Sequence, residues 1–182
     1  MNNISDYPVY SKNVLEFLTV ANDYCLTMDK LASTSVSNLT NYLQKVCPLL
    51  YLKASLLPVI KVQNPDANER FVTQEEWEII FNQFRLKFGD DDPFWFIDQT
   101  ATHNDPVKST ISECLTDIYQ ELKDFTILYQ KSSLDAKENA VSSVRESFES
   151  HWGYSLVNVH KTLHYLIMRG LPHPDDELEE LF

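Results

Sequence analysis

Only three glycines, at positions 89, 153 and 170, punctuate a chain of 182 residues. Tight hairpin turns draw on glycine for positive φ, so a fold made mostly of β-strands joined by such turns is excluded. Helices remain, and the spacing of apolar residues predicts them directly. From Tyr7 to Leu31, Val14, Phe17, Leu18, Ala21, Cys25 and Met28 recur every three or four residues and line one helical face. A second helix opens near Ser35 or Ser37, both good N-caps, and runs to Leu57. Beyond Pro48 its sequence LLYLKASLL is apolar on nearly every side, which marks Val46 to Leu57 as the central helix of a bundle. Pro48 predicts a kink or break, because it lacks an N–H and presses on the carbonyl of Gln44.

The strongest local signal is Val72-Thr73-Gln74-Glu75-Glu76-Trp77, a capping box between Thr73 and Glu76 with Val72 and Trp77 as its hydrophobic staple. It starts a helix at Gln74 that carries Trp77, Ile80, Phe81, Phe84, Leu86 and Phe88 and ends at Gly89. Asp105-Pro106 reads as another helix start, with Val107, Ile111, Leu115, Ile118, Leu122 and Phe125 on one face as far as about Gln130. The last helical region begins after Ser132-Ser133. Its apolar stripe continues straight through Gly153, as one bent helix or two successive ones, until Gly170, Pro172 and Pro174 stop it. Two long connections are left, Pro58 to Val72 and Gly89 to Asn104. The expected architecture is a single all-α domain over 1–174, a bundle of five or six helices with a central apolar helix and two long loops, followed by an acidic tail at 175–182.

A chain of this length buries roughly 70% of the surface its unfolded form exposes, enough for an ordinary core without disulfides or metals. The formal net charge of -12 comes from 27 acidic against 15 basic side chains, and five of the acidic ones lie between Asp175 and Glu180. That balance lacks the cationic footprint phosphate backbones require and disfavours anionic membranes. The most apolar run, Val46 to Leu57, falls short of the roughly 20 residues that span a bilayer. The amino terminus lacks the pattern of a secretory signal, and three scattered cysteines, Cys25, Cys47 and Cys114, suit buried thiols. A reduced, cytoplasmic protein is expected.

The strings LEFLTVANDYC, LQKVCPLLYLKASLLP, FVTQEEWE, DIYQELKDF and HWGYSLVNVHKTLHYL together resemble an uncharacterised bacterial family of about this length, a domain of unknown function. The resemblance spans nearly the whole chain. It implies an all-helical, single-domain, cytoplasmic protein and carries no activity, substrate or catalytic residue. Within the closing string, HWG at His151 to Gly153 and a later His at His164 follow the family, whereas His160 departs from it.

Three constellations could carry chemistry. His160 and His164 stand four apart, a spacing that can place two imidazoles on one metal, but no Glu completes an HExxH signature. His151 lies nine residues earlier, about 13 Å along a continuous helix, and cannot share that ion. Asp117, Glu121 and Asp124 form a carboxylate strip of the kind that holds Mg²⁺ or Mn²⁺ in helical-bundle hydrolases of nucleotide-like substrates, with Glu75, Glu76 or Glu78 as partners from a second helix. The same strip could instead pair with Arg145, Lys161 or Arg169, or face solvent. Asp92, Phe94, Trp95, Phe96 and Asp98 form an aromatic-acidic loop that either plugs the end of the bundle or presents a partner surface. There is no nucleophile elbow, no phosphate loop and no dinucleotide fingerprint. The favoured expectation is a non-catalytic protein-binding or adaptor module, monomer or homodimer, whose acidic surface meets a basic or amphipathic protein. No cofactor is expected. The divalent-metal hydrolase is the alternative.

Overall fold

The computed structural model describes residues 7–98 and 105–170. The acidic tail at 175–182 lies outside the described residues. Six α-helices are present among them: α1 (Lys12–Met28), α2 (Val36–Ser55), α3 (Gln74–Phe88), α4 (Ile111–Gln130), α5 (Leu134–Ser147) and α6 (Gly153–Arg169). A five-residue π-helical turn, Phe148–Trp152, joins α5 to α6 into one continuous rod, so the expected five or six helices are both fair descriptions. The fold is all-α apart from one two-stranded antiparallel ribbon, β1 (Pro93–Ile97) and β2 (Pro106–Thr110).

The caps form where the sequence places them. Ser35 Oγ accepts the Asn38 amide at 3.2 Å, and Ser133 Oγ accepts that of Ala136 at 3.1 Å. The Thr73–Glu76 box closes reciprocally, at 3.2 and 2.9 Å. Gly89 follows α3 with φ +50°, which a side chain would resist.

Four expectations are corrected. The Gly89 to Asn104 connection is not a loop throughout, because Pro93–Ile97 pairs with Pro106–Thr110. Asp105-Pro106 does not start a helix; Pro106 opens β2, and α4 begins five residues later with Thr110 Oγ1 accepting from the Glu113 amide at 3.1 Å. Asp92 decides this, since its carbonyl accepts from Ile111 N–H at 2.9 Å and its carboxylate from the Ser112 amide and hydroxyl at 2.8 and 2.7 Å. Pro48 does not break α2, whose face of Leu43, Val46, Cys47, Leu50 and Ala54 is buried along its length and outweighs one missing hydrogen bond. Finally, the central helix is α4 rather than Val46 to Leu57. It packs against α1, α3, α5 and α6 and buries residues on every side. On α2, Leu49, Tyr51, Leu52 and Leu56 are 40–52% exposed.

The polar groups on α4 find partners from far along the chain. Tyr24 Oη donates to the Leu115 carbonyl at 2.9 Å, and Tyr119 Oη donates to Asp29 at 2.7 Å. The Pro58 to Val72 connection is strapped down rather than loose. Gln63 N–H donates to Glu138 at 3.0 Å, Asn139 Nδ2 to the Asn64 carbonyl at 2.8 Å, and the Phe71 and Val72 amides both donate to Asp124 Oδ1, at 2.6 and 2.9 Å. All three cysteines are free and buried, as expected, and burial pushes the thiols of Cys25 and Cys47 up to about 12 and that of Cys114 to about 11.

If α4 is the hub, Leu115→Ala lowers the unfolding free energy by about 2–5 kcal/mol, because a fully buried leucine leaves a cavity. Leu52→Ala on α2 changes it by less than about 0.5 kcal/mol. Urea denaturation of the two variants checks the assignment.

Candidate functional site

The helical rod of α5 and α6 departs from α-geometry at one place, and the cause is steric. A Cβ built on Gly153 would lie 2.4 Å from the carbonyl oxygen of Phe148 and 3.0 Å from its ring. Glycine is therefore required where the π-turn folds its extra residue back onto Phe148. Trp152 turns inward and is fully buried, with its indole N–H donating to the Val144 carbonyl at 3.1 Å and its ring 4.8 Å from that of Phe148. His151 turns outward. The string HWG thus has one residue for solvent, one for the core and one for the close approach. Single π-turns inside helices recur at functional sites because they change which side chains face outward.

Next to this turn lies a groove of about 740 Å³. One wall is the π-turn with the start of α6, where Phe148, Tyr154 and Val157 supply apolar surface. Phe96 and Ile97 at the far end of β1 form the other wall, and Tyr51 of α2 closes the floor edge-on to Phe148 at 5.1 Å. Tyr154, Val157 and Ile97 are each more than half exposed. Among the described lining residues the charged groups are Asp98, Glu149 and His151, with no lysine or arginine. Glu149 is ion-paired with Arg145 at 2.5 Å.

Behind His151 stands Asp117, its Oδ2 3.8 Å from His151 Nε2 and its Oδ1 accepting the Trp77 indole N–H at 3.0 Å. Burial raises the carboxyl of Asp117 above its ordinary value, opposed by the indole hydrogen bond and by His151.

A family model for a domain of unknown function, DUF5063, matches residues 8–169. The chain belongs to this family. The crystal structure of protein BF1032 from Bacteroides fragilis, a structural-genomics target, is similar to it, with 30% identity over 92% of this chain and 98% of that one and a TM-score of 0.79. No curated protein shows a significant match.

In this DUF5063 member the candidate residues are dispersed. Asp117, Glu121 and Asp124 do share a strip on α4, yet each is engaged. Arg70 holds Glu121 through two hydrogen bonds, at 3.1 and 2.5 Å, and reaches Asp124 with Nε at 3.0 Å. Neither Arg145, Lys161 nor Arg169 is the partner; the cation comes from the strapped connection before α3. Burial pushes the carboxyl of Asp124 upward, opposed by the Val72 and Phe71 amides and by Arg70. Glu76 is spent on the capping box. Among the described residues no group of three His, Cys, Asp or Glu side chains is placed to hold a metal ion.

The aromatic-acidic segment is split by strand alternation. Asp92 is 4% exposed and ties the ribbon to α4, Phe94 is buried, Phe96 is half-buried and Trp95 is 67% exposed. Asp98 and Phe96 reach the groove, and the others do not. His164 is exposed and His160 half-buried, with its pKa lowered by burial and then by His164. Neither lines the groove. Sequence reasoning missed Tyr51, Tyr154 and Val157 as site residues, although the short aromatic run FWFI after Pro93 and the glycine in HWG were signals for its two walls.

Two outcomes follow. Gly153→Ala costs about 1–3 kcal/mol of unfolding free energy, the usual range for forcing atoms into a packed site, measured by urea denaturation. For Asp117, a folded pKa above the ordinary 3.8 means that the folded state binds more protons than the unfolded one. Its contribution to stability is complete below that value and lost as pH rises through the folded pKa. Asp117→Asn keeps an acceptor for Trp77, so its stability falls less steeply than the parent's as pH rises above the ordinary carboxylate value of 3.8; an unchanged slope refutes the assignment.

Proposed function

We propose that the protein is a non-catalytic cytoplasmic binding module whose groove between β1 and the π-turn receives a basic or amphipathic segment of a partner protein. The observation that carries this reading is the groove itself, apolar on both walls, edged by carboxylates and kept in shape by the Gly153–Phe148 contact. Concave surfaces with exposed aromatic side chains are where binding energy concentrates, because tyrosine and tryptophan bury large area at small entropic cost. The acidic balance of the chain favours a cationic partner and speeds its encounter. Reactive groups point the same way. The thiols are buried and unactivated, and metal chemistry at Asp117, Glu121 and Asp124 would require Arg70 to leave two carboxylates it already neutralises.

Benzoylphenylalanine placed at position 154 captures a discrete partner protein on irradiation of the native cells, and the same probe at position 86, exposed on α3 and not lining the groove, does not. Val157→Asp lowers the capture by about tenfold or more, since it buries a charge in the apolar wall, while leaving the melting temperature unchanged. Equal labelling from both positions would sink the proposal.

A further inference from the structure

The connection from Pro58 to Val72 is strapped across α4 and α5 without entering the core. No residue from 58 to 79 is buried; Ile60, Phe71 and Val72 rest partly against the core from outside. The regular structure of the strap is one 3₁₀ turn, Pro65–Ala67. Among the described residues no backbone-to-backbone hydrogen bond joins it to α4 or α5, and its ties run through side chains instead. Glu138 accepts the Gln63 amide, Asn139 donates to the Asn64 carbonyl, Asp124 accepts the Phe71 and Val72 amides, and Arg70 spans Glu121 and Asp124. Segments with few buried apolar contacts and exposed backbone lie at the low end of the range of local stabilities within one fold.

The carboxylates that hold the strap are themselves held at a cost. Asp124 is 3% exposed, and its Oδ2 takes no hydrogen bond although Arg70 Nε lies 3.0 Å away. Burial raises its carboxyl above the ordinary value against the opposition of both amides and of Arg70. The closed strap therefore takes more hydration from this charge than its donors return, and opening gives that hydration back. Opening also breaks the Arg70–Glu121 pair and the amide bonds, so two opposed contributions meet at one place. The strap is not packed tightly there. Between Asn68–Arg70 and the helices lies a cavity of about 10 Å³, room for roughly one water. Its helical walls include Phe125 and Leu128 of α4 and Ala140 and Val144 of α5, all buried.

We propose that residues 63–72 are a latch with Arg70 as its catch, opening as one unit while the six helices stay folded and uncovering the α4–α5 seam at Phe125, Leu128, Ala140 and Val144. The helices keep their packing in the open state because every tie that opening breaks is a side-chain bond to the strap. Gln63, Phe71 and Val72 move together, since Asn64, Arg70 and the Pro65–Ala67 turn join the two ends of the segment to the same pair of helices. The strap thereby governs access to the seam, independently of the groove beside the π-turn.

Native-state amide hydrogen exchange on the full chain, in urea below the unfolding transition, tests the latch. The amides of Gln63, Phe71 and Val72 are bonded to carboxylates only while the strap is closed, and the amide of Leu122 reports on α4. The three strap amides exchange through a common opening at least about a hundredfold more frequent than the opening that frees Leu122. That opening depends only weakly on urea, because it exposes little surface. Two variants separate a latch from global unfolding. Leu115→Ala weakens the closed and open states alike, so it speeds exchange at Leu122 and leaves the three strap amides unchanged. Arg70→Gln removes the catch and speeds all three strap amides about tenfold or more. Strap amides that follow Leu122 in urea and in Leu115→Ala, or that do not respond to Arg70→Gln, overturn the proposal. The urea dependence of the parent protein decides the matter even if Leu115→Ala does not fold.

Discussion

Burial of most of α4 constrains everything around it. A helix that packs against α1, α3, α5 and α6 leaves little of its surface to water, so the buried polar groups it carries must be answered from within the fold. Asp92 answers the amides at its beginning, Tyr24 takes a carbonyl from its middle turns, and Arg70 with the Phe71 and Val72 amides answers Glu121 and Asp124. These partners come from the ribbon, from α1 and from the long connection ahead of α3. The hub therefore fixes the segments that a helix bundle usually leaves free, and the ribbon is held at its base by the same carboxylate that caps α4.

A second constraint acts on the surface. Because α5 and α6 form one rod, a single extra residue in the π-turn changes which side chains face outward from Phe148 onward. Trp152 is drawn into the core beside Phe148 and Phe17, and His151 is put opposite Asp117. The groove lies where this turn, fixed by the Trp152 indole, comes opposite the far end of β1, a strand tied down at its start by Asp92. Chemistry that looked possible on the carboxylate strip is absorbed by packing, whereas the binding surface arises from residues that carry no chemical motif.

Local physics was legible residue by residue. The Thr73–Glu76 box, the Ser35 and Ser133 caps, the stop at Gly89 and the apolar face of α1 follow from interactions within a turn or two of the chain and form as read, whereas Leu86 on α3 is exposed and Val107 belongs to β2. The errors share one cause. Asp105-Pro106 is a sound helix start by local rules, but pairing with a strand some ten residues earlier overrides it. LLYLKASLL looked central by its apolar content, yet α2 has one face to pack and leaves Leu49, Leu52 and Leu56 at the surface. Arg70 lies about fifty residues from the carboxylates it holds, so no pattern within α4 announces it.

The amino-acid sequence alone determined that this chain is helical, where most helices begin, that its cysteines are buried thiols, and that Gly153 is a position apart. Those properties rest on backbone conformation and on short-range periodicity, which travel with the sequence. Tertiary structure alone decided which helix is the hub, that Pro93–Ile97 is a strand paired with Pro106–Thr110, and that the end of this strand and the π-turn line one groove. Such choices depend on which distant surfaces meet, and the free energy of each meeting is shared among residues that are strangers in the sequence.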